Sequence, residues 1–68
     1  MTPYINPPTD CDICGTPITN QFVDGATTIG PWGFMCPTCF PLYGRGLGLG
    51  KGQKYTKQDD GKYHKTGG

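Results

Sequence analysis

The sequence predicts a small metal-stabilised domain of β-hairpins with at most one short helix. A chain of 68 residues forms one domain at most and buries a small share of its surface. Only 34% of the residues are hydrophobic, and 12 Gly with 7 Pro fill 19 positions, so the core needs an additional cross-link. The chain's four cysteines form two Cys-x-x-Cys pairs, which can provide that cross-link.

The cysteine spacing indicates one bound metal ion. Cys11, Cys14, Cys36 and Cys39 follow the pattern C-x2-C-x21-C-x2-C. Each pair places two thiolates on one side of a tight turn, and two pairs complete a tetrahedral shell of four sulfurs. We therefore predict that all four bind one structural Zn²⁺. Because a closed shell has no open coordination position, and the chain has no Ser and a single His, we predict no enzyme activity and no small-molecule substrate.

Other uses of the cysteines stay open. Disulfides are less favoured, because the N-terminus shows no signal-peptide pattern and thiols stay reduced in the cytosol. Redox catalysis by one Cys-x-x-Cys pair is less favoured, because that motif normally lies at a helix N-terminus beside a strand in a larger domain. Iron also suits four sulfurs. The motifs at 11–15 and 36–39 resemble the two knuckles of rubredoxins, although Phe40 stands where the second rubredoxin knuckle has Gly. His64 is expected to be exposed or to face a partner, and not to bind the metal.

Residues 1–10 predict a Pro-rich extended arm. The three prolines of this segment exclude a regular helix and keep their preceding residues extended. Tyr4 and Ile5 are its apolar side chains, which can pack against the metal core. An arm of this kind is expected either to cover a small core or to dock on a partner.

Residues 11–43 predict the four-cysteine finger itself. A first knuckle at 11–15 precedes a hairpin within 18–35 whose turn is expected at Asp24 and Gly25. The aromatic residues Trp32 and Phe34 of the second arm are expected to form its core.

A short helix is predicted after the second cysteine pair. Pro37 suits the first helical position, and Gly44 is expected to end the helix. If Phe40 enters that helix, the finger is treble-clef-like; if it does not, the finger is a zinc ribbon. The asymmetry that Phe40 gives the two knuckles favours the treble clef.

Residues 44–68 predict a Gly-rich strand followed by a basic β-hairpin. Glycine occupies every second position from 44 to 52, which indicates either a flexible linker or an extended segment laid flat against another surface. The Asp-Asp-Gly turn at 59–61 then separates two arms, on which Tyr55 and Tyr63 are expected to pair across the strands.

The uneven charge distribution along the chain bears on the class of binding partner. Residues 1–44 carry a charge of −3 and residues 45–68 a charge of +4. A basic tail with tyrosines can bind nucleic acid, but a pI near 7.6 and a single Arg argue against tight binding by charge. No apolar run approaches the roughly 20 residues that cross a membrane. We therefore predict a protein partner, with nucleic acid as the alternative. The candidate partner-binding residues are Arg45, Lys51, Lys54, Tyr55, Lys57, Lys62 and Tyr63.

Almost the whole chain resembles four-cysteine zinc-finger proteins encoded in tailed-bacteriophage genomes. The motifs that carry the resemblance are Asn-Pro-Pro at 6–8, Cys-Asp-Ile-Cys-Gly at 11–15, Gly-Pro-Trp at 30–32, Met-Cys-Pro-Thr-Cys at 35–39 and the glycine-rich run at 46–55. The resemblance implies a phage or prophage setting. It leads us to expect a virion component or a regulatory factor, located in the virion or in the host cytoplasm.

Overall fold

The computed structural model describes residues 3–68, so the first two residues of the predicted arm lie outside the described residues. Within that range, four strands form one antiparallel sheet in the order β2-β1-β3-β4. The elements are β1 (Gln21–Gly25), β2 (Gly33–Met35), α1 (Phe40–Tyr43), β3 (Gly52–Lys57) and β4 (Tyr63–Gly67). No helix within residues 3–68 has the length and apolar character needed to cross a membrane.

The inner strand β1 supplies the core on both faces of the sheet. Val23 points to one face, where it packs with Met35 and the buried cysteines. Its neighbour Phe22 points to the other face, where it packs with Ile18 and Tyr63. Alternation along one strand therefore separates a metal face from an aromatic face.

The first hairpin closes through the loop 26–32, and the predicted turn at Asp24 and Gly25 is wrong. Both residues lie inside β1, where Gly25 pairs with Gly52 of β3. A Cβ on Gly25 would lie 2.7 Å from the carbonyl oxygen of Lys51. Glycine here permits the close approach of two strands and does not form a turn.

Trp32 is not a core residue, contrary to expectation. The residue is 49% exposed, and its indole Nε1 donates a 2.6 Å hydrogen bond to Asp24 Oδ1. An indole that stays half in water satisfies its N–H in this way. Phe34, by contrast, packs against the aromatic cluster as expected.

The N-terminal arm covers a core, as one alternative predicted, but it is the aromatic cluster around Phe22 and not the core formed by the cysteines. The Tyr4 amide donates to the carbonyl of Tyr63 at 2.8 Å. Its ring makes edge contacts with Phe22 and Tyr55, with centroids 5.2 and 4.8 Å apart. Ile5 extends into solvent.

The Tyr4 hydroxyl gives a testable measure of how firmly the arm is held. It donates to Asp24 Oδ2 at 3.1 Å, and burial together with that hydrogen bond raises the pKa of Tyr4 to about 12. The folded protein favours the neutral phenol over the phenolate. This stabilisation is therefore complete below pH 10, the ordinary pKa of tyrosine, and is lost as the pH rises towards 12, the pKa in the folded protein. We expect Tyr4→Phe to lower the free energy of unfolding by about 1 kcal/mol at pH 7.

Urea unfolding of the zinc-loaded protein at pH 7 and at high pH measures this effect. The difference between Tyr4→Phe and the wild type should shrink at high pH, where the wild type loses the same hydrogen bond. A constant difference across that range would contradict the assignment.

The short helix forms as predicted but begins later. Cys39 is its N-cap, and α1 runs from Phe40, so the prediction that Pro37 occupies the first helical position is wrong. Pro41 lies in the first turn, where its missing N–H breaks no hydrogen bond. Gly44 ends the helix in an extended conformation, and a Cβ there would lie 2.6 Å from Phe40 Cε1.

The glycine-rich segment is neither a strand nor an open linker, which corrects both expectations. Gly46, Gly48 and Gly50 have φ values of 96°, 131° and 76°, which other residues rarely adopt. The segment turns back on itself, with the Gly48 amide donating to the Gly52 carbonyl at 2.9 Å. The alternating glycines thus permit the backbone conformation of a folded turn that leads into β3.

The second hairpin forms as the sequence predicted. Its turn has Gly61 at φ 78°, and the Lys62 amide donates to Asp60 Oδ1 at 2.8 Å. The register differs from the expected tyrosine pair, because Tyr55 lies opposite Lys65 and Tyr63 lies opposite another lysine. The turn sets these pairs, because the Gln58 amide donates to the Lys62 carbonyl at 2.9 Å and the register stays regular from there as far as Tyr55. A bulge follows only beyond this point, between Lys54 and Tyr55.

Candidate metal centre

The structure brings all four predicted cysteines into one cluster. Their Sγ atoms all lie within 4.8 Å of one another, and those of Cys14 and Cys36 are 3.7 Å apart. A tetrahedral zinc site with Zn–S near 2.3 Å requires sulfurs about 3.8 Å apart. The donor set and the spacing therefore fit a single tetrahedral metal ion.

The first knuckle is formed by local backbone geometry. The Ile13 amide donates to Cys11 Sγ at 3.4 Å, and the Gly15 amide donates to the Cys11 carbonyl at 3.0 Å. Gly15 has φ 76° in open space, so the backbone conformation alone requires glycine there.

The second knuckle joins a strand end to a helix start. Cys36 directly follows β2, and Cys39 caps α1, whose first amide at Phe40 donates to the Cys36 carbonyl at 3.0 Å. The Cys36 amide also donates to Cys11 Sγ at 3.4 Å. This hydrogen bond links the two knuckles directly.

Asp12 holds the first knuckle against the sheet. Its amide donates to the Phe34 carbonyl at 2.9 Å, and its Oδ2 accepts from the Phe34 amide at 2.9 Å. The knuckle therefore pairs with the outer edge of β2. The sequence around Asp12 does not indicate this contact, because its partner Phe34 lies 22 residues away.

The surroundings of the thiols act on their pKa values in opposite directions. Hydrogen bonds from Thr16 lower the pKa of Cys14, the exposed thiol, to about 6. Burial acts to raise the pKa of Cys11, but backbone N–H groups outweigh it and leave that pKa below its usual value. Burial and the neighbouring thiols raise the pKa of Cys39 to about 12. Deprotonation of all four thiols therefore requires a cation at the centre of the cluster.

Metal binding should release protons in a number set by these pKa values. At pH 7 the Cys39 thiol must lose its proton to become a ligand, whereas Cys14 is already mostly thiolate. We expect release of at least one and fewer than four protons per Zn²⁺, and an affinity that falls as the pH falls. Isothermal titration calorimetry in buffers of different ionisation enthalpy measures this number. Release of four protons, or of none, would contradict the thiol assignments.

His64 lies away from the cluster, in agreement with the prediction that it is not a ligand. Its Nε2 is 2.9 Å from Asp60 Oδ2, at the turn of the second hairpin. Among residues 3–68, the metal-ligand cluster consists of the four cysteines.

The predicted partner-binding tyrosines lie mainly in the aromatic cluster. Tyr63 is only 7% exposed, and Tyr55 stacks on Phe22 with ring centroids 5.3 Å apart. Their rings stabilise the aromatic face, so base stacking on them would require the core to open.

The predicted basic residues occupy separate places. Arg45 and Lys51 lie beside the loop 26–32, where Arg45 Nε donates to the Thr27 carbonyl at 3.2 Å. Lys54 is partly buried next to Val23. Lys57 and Lys62 flank the turn of the second hairpin. The structure thus does not unite the seven residues on one surface, and their binding role stays a prediction.

The chain matches no model of a protein family, no curated protein and no solved structure. Its site is therefore interpreted from its own geometry.

Proposed function

We propose that this domain binds one structural Zn²⁺ and is a non-catalytic protein-interaction module. The observation that carries the proposal is the cluster of four Sγ atoms within 4.8 Å of one another. Three of the four cysteines are buried and belong to the core of the metal face. Because all four thiolates close one shell, the metal supplies stability and has no coordination position for a substrate.

The arrangement supports a treble-clef-like fold. A knuckle at 11–15 is followed by a hairpin, and then by a ligand pair whose second member, Cys39, caps α1. The zinc ribbon is the alternative, since α1 spans only four residues. Zinc is proposed over iron because a reduced four-thiolate site suits zinc and Phe40 departs from the rubredoxin pattern.

Exposed apolar side chains support a protein partner. Of the six large apolar side chains that residues 3–68 leave exposed, five lie between 26 and 51, in segments fixed by hydrogen bonds. These are Ile29, Trp32, Leu42, Leu47 and Leu49. Rigid apolar groups bind proteins at low entropic cost. Nucleic acid is less favoured, because the tyrosines are engaged in the core.

The sequence resemblance to phage-encoded four-cysteine proteins supports a phage setting. On that resemblance alone, we propose that the module belongs to a virion assembly. Mass spectrometry of purified particles tests this setting, and absence of the chain from particles would contradict it.

Native mass spectrometry with metal analysis tests the central proposal. We expect one Zn²⁺ per chain, lost together with folded structure on chelation. A gel-shift assay at physiological salt tests the partner class. Micromolar binding of DNA or RNA that is weakened by replacing Lys54 and Lys57 would contradict the protein-interaction proposal.

A further inference from the structure

One end of the sheet is formed by two loops that are hydrogen-bonded to each other. The Ala26 amide donates to the Lys51 carbonyl at 2.8 Å, and the Arg45 amide donates to the Ala26 carbonyl at 3.3 Å. These contacts fix the loop 26–32 against the turn at 48–51. We call their combined outer surface the loop end, defined by residues 26–32 and 45–51.

The turn at 48–51 presents a single apolar side chain. Leu49 is 97% exposed, between two glycines that both have positive φ. The Lys51 amide donates to the Gly48 carbonyl at 3.0 Å, which closes the turn. Because the turn is ordered, seating Leu49 in an apolar partner site would cost little conformational entropy. Its neighbour Lys51 adds an exposed positive charge.

The loop 26–32 presents an apolar groove at the same end. A groove of about 340 Å³ is lined by Ile29, which is 61% exposed, and by Trp32. The buried Thr27 hydroxyl donates to the carbonyls of Gly30 and Pro31, at 3.2 and 3.0 Å, and so fixes the loop.

The rim of this groove is acidic. Asp12 lines it directly, and Asp24 is hydrogen-bonded to the Trp32 indole. One side of the loop end therefore combines apolar side chains with negative charge. The other combines Leu49 with the positive charge of Lys51.

We propose that the loop end binds a second copy of this chain, with Leu49 of each copy seated in the Ile29–Trp32 groove of the other. This proposal rests on the proposed function, because it names a second copy of the chain as the protein partner of the interaction module. The complementarity is double: an apolar side chain meets an apolar groove, and Lys51 meets the acidic rim.

The arrangement favours a closed dimer. Leu49 and the groove belong to two loops that are hydrogen-bonded to each other, so the proposal places both contacts about one two-fold axis. Contacts of this kind do not propagate, because each copy uses its turn and its groove on one partner. The small area of two loops predicts a dimer that forms at high micromolar concentration.

Sedimentation velocity of the zinc-loaded protein over a concentration series tests the proposal. We expect a monomer–dimer equilibrium that weakens with salt. Leu49→Asp and Ile29→Asp should each raise the dissociation constant at least about 100-fold, since each dimer loses two buried contacts. Lys51→Glu should raise it about tenfold. Ile5→Asp is the matched control, because Ile5 is 76% exposed outside the loop end and should leave the dimer unchanged.

Mixing the two variants gives a sharper result. Leu49→Asp keeps an intact groove, and Ile29→Asp keeps an intact Leu49. In a mixed dimer, Leu49 of the second variant fills the groove of the first, so the mixture should dimerise more tightly than either variant alone. A wild-type monomer at all concentrations, a dimer insensitive to both variants, or open-ended growth would each overturn the proposal. Zinc content measured on every sample separates this outcome from failure of the metal site.

Discussion

Removal of zinc is expected to unfold the whole domain, including the sheet. Binding to a four-cysteine site contributes about 10–16 kcal/mol at pH 7, more than a core this small supplies. The metal face holds Val23 of β1, and β1 pairs with both β2 and β3. Loss of the metal therefore removes the packing on one face of β1. The same strand carries Phe22 on its other face, so the aromatic cluster loses its support as well. Chelation under reducing conditions, followed by circular dichroism and amide NMR dispersion, measures this effect.

The variant Cys36→Ser should reproduce the effect of chelation. Cys36 is buried, and its amide also links the two knuckles. Thr38→Ala is the matched control, because Thr38 lies exposed in the same knuckle and supplies no ligand. An unchanged thermal melt after complete metal removal would show that the zinc is not structural.

Phe22→Ala is expected to lower the free energy of unfolding by about 3–5 kcal/mol in the zinc-loaded protein. Phe22 is 1% exposed, and its ring contacts four other aromatic rings at centroid distances of 5.1 to 5.8 Å. Truncation leaves a cavity between the sheet and the arm that the surrounding rings fill poorly. The arm should then be held less firmly, because Tyr4 loses one of its edge contacts, the one with Phe22.

Urea unfolding with zinc in excess measures the loss at Phe22. Leu42→Ala is the control, since Leu42 is an exposed apolar residue and its truncation should change the free energy of unfolding by less than about 0.5 kcal/mol. A cost at Phe22 no larger than the cost at Leu42 would mean that the aromatic face does not stabilise the fold. One-to-one zinc content in both variants shows that the metal site is intact.

The metal ligands were predictable because their signal is local. Two Cys-x-x-Cys pairs, each in a short turn, position two sulfurs without help from the rest of the chain. The same holds for the second hairpin, where the turn at 59–61 joins its two arms directly. The short helix after Cys39 and its end at Gly44 also follow from neighbouring residues.

The errors occurred where distant contacts override a local preference. The Asp24–Gly25 pair is a favoured turn, yet Gly25 meets Gly52 across the sheet and Asp24 accepts hydrogen bonds from Tyr4 and Trp32. Both residues therefore stay in a strand. Trp32 is exposed for the same reason, since its indole N–H donates to Asp24, eight residues away, and its ring stays outside the core.

By itself, the sequence determined the four ligands, the two knuckles, the end of the short helix at Gly44 and the second hairpin, because each depends on residues a few positions apart. Only the tertiary structure decided that β1 lies between β2 and β3, that the arm covers the aromatic face, and that alternating glycines fold into a turn. These features depend on side chains far apart in the chain. Their pairing is selected by packing on the two faces of one strand, which no local pattern records.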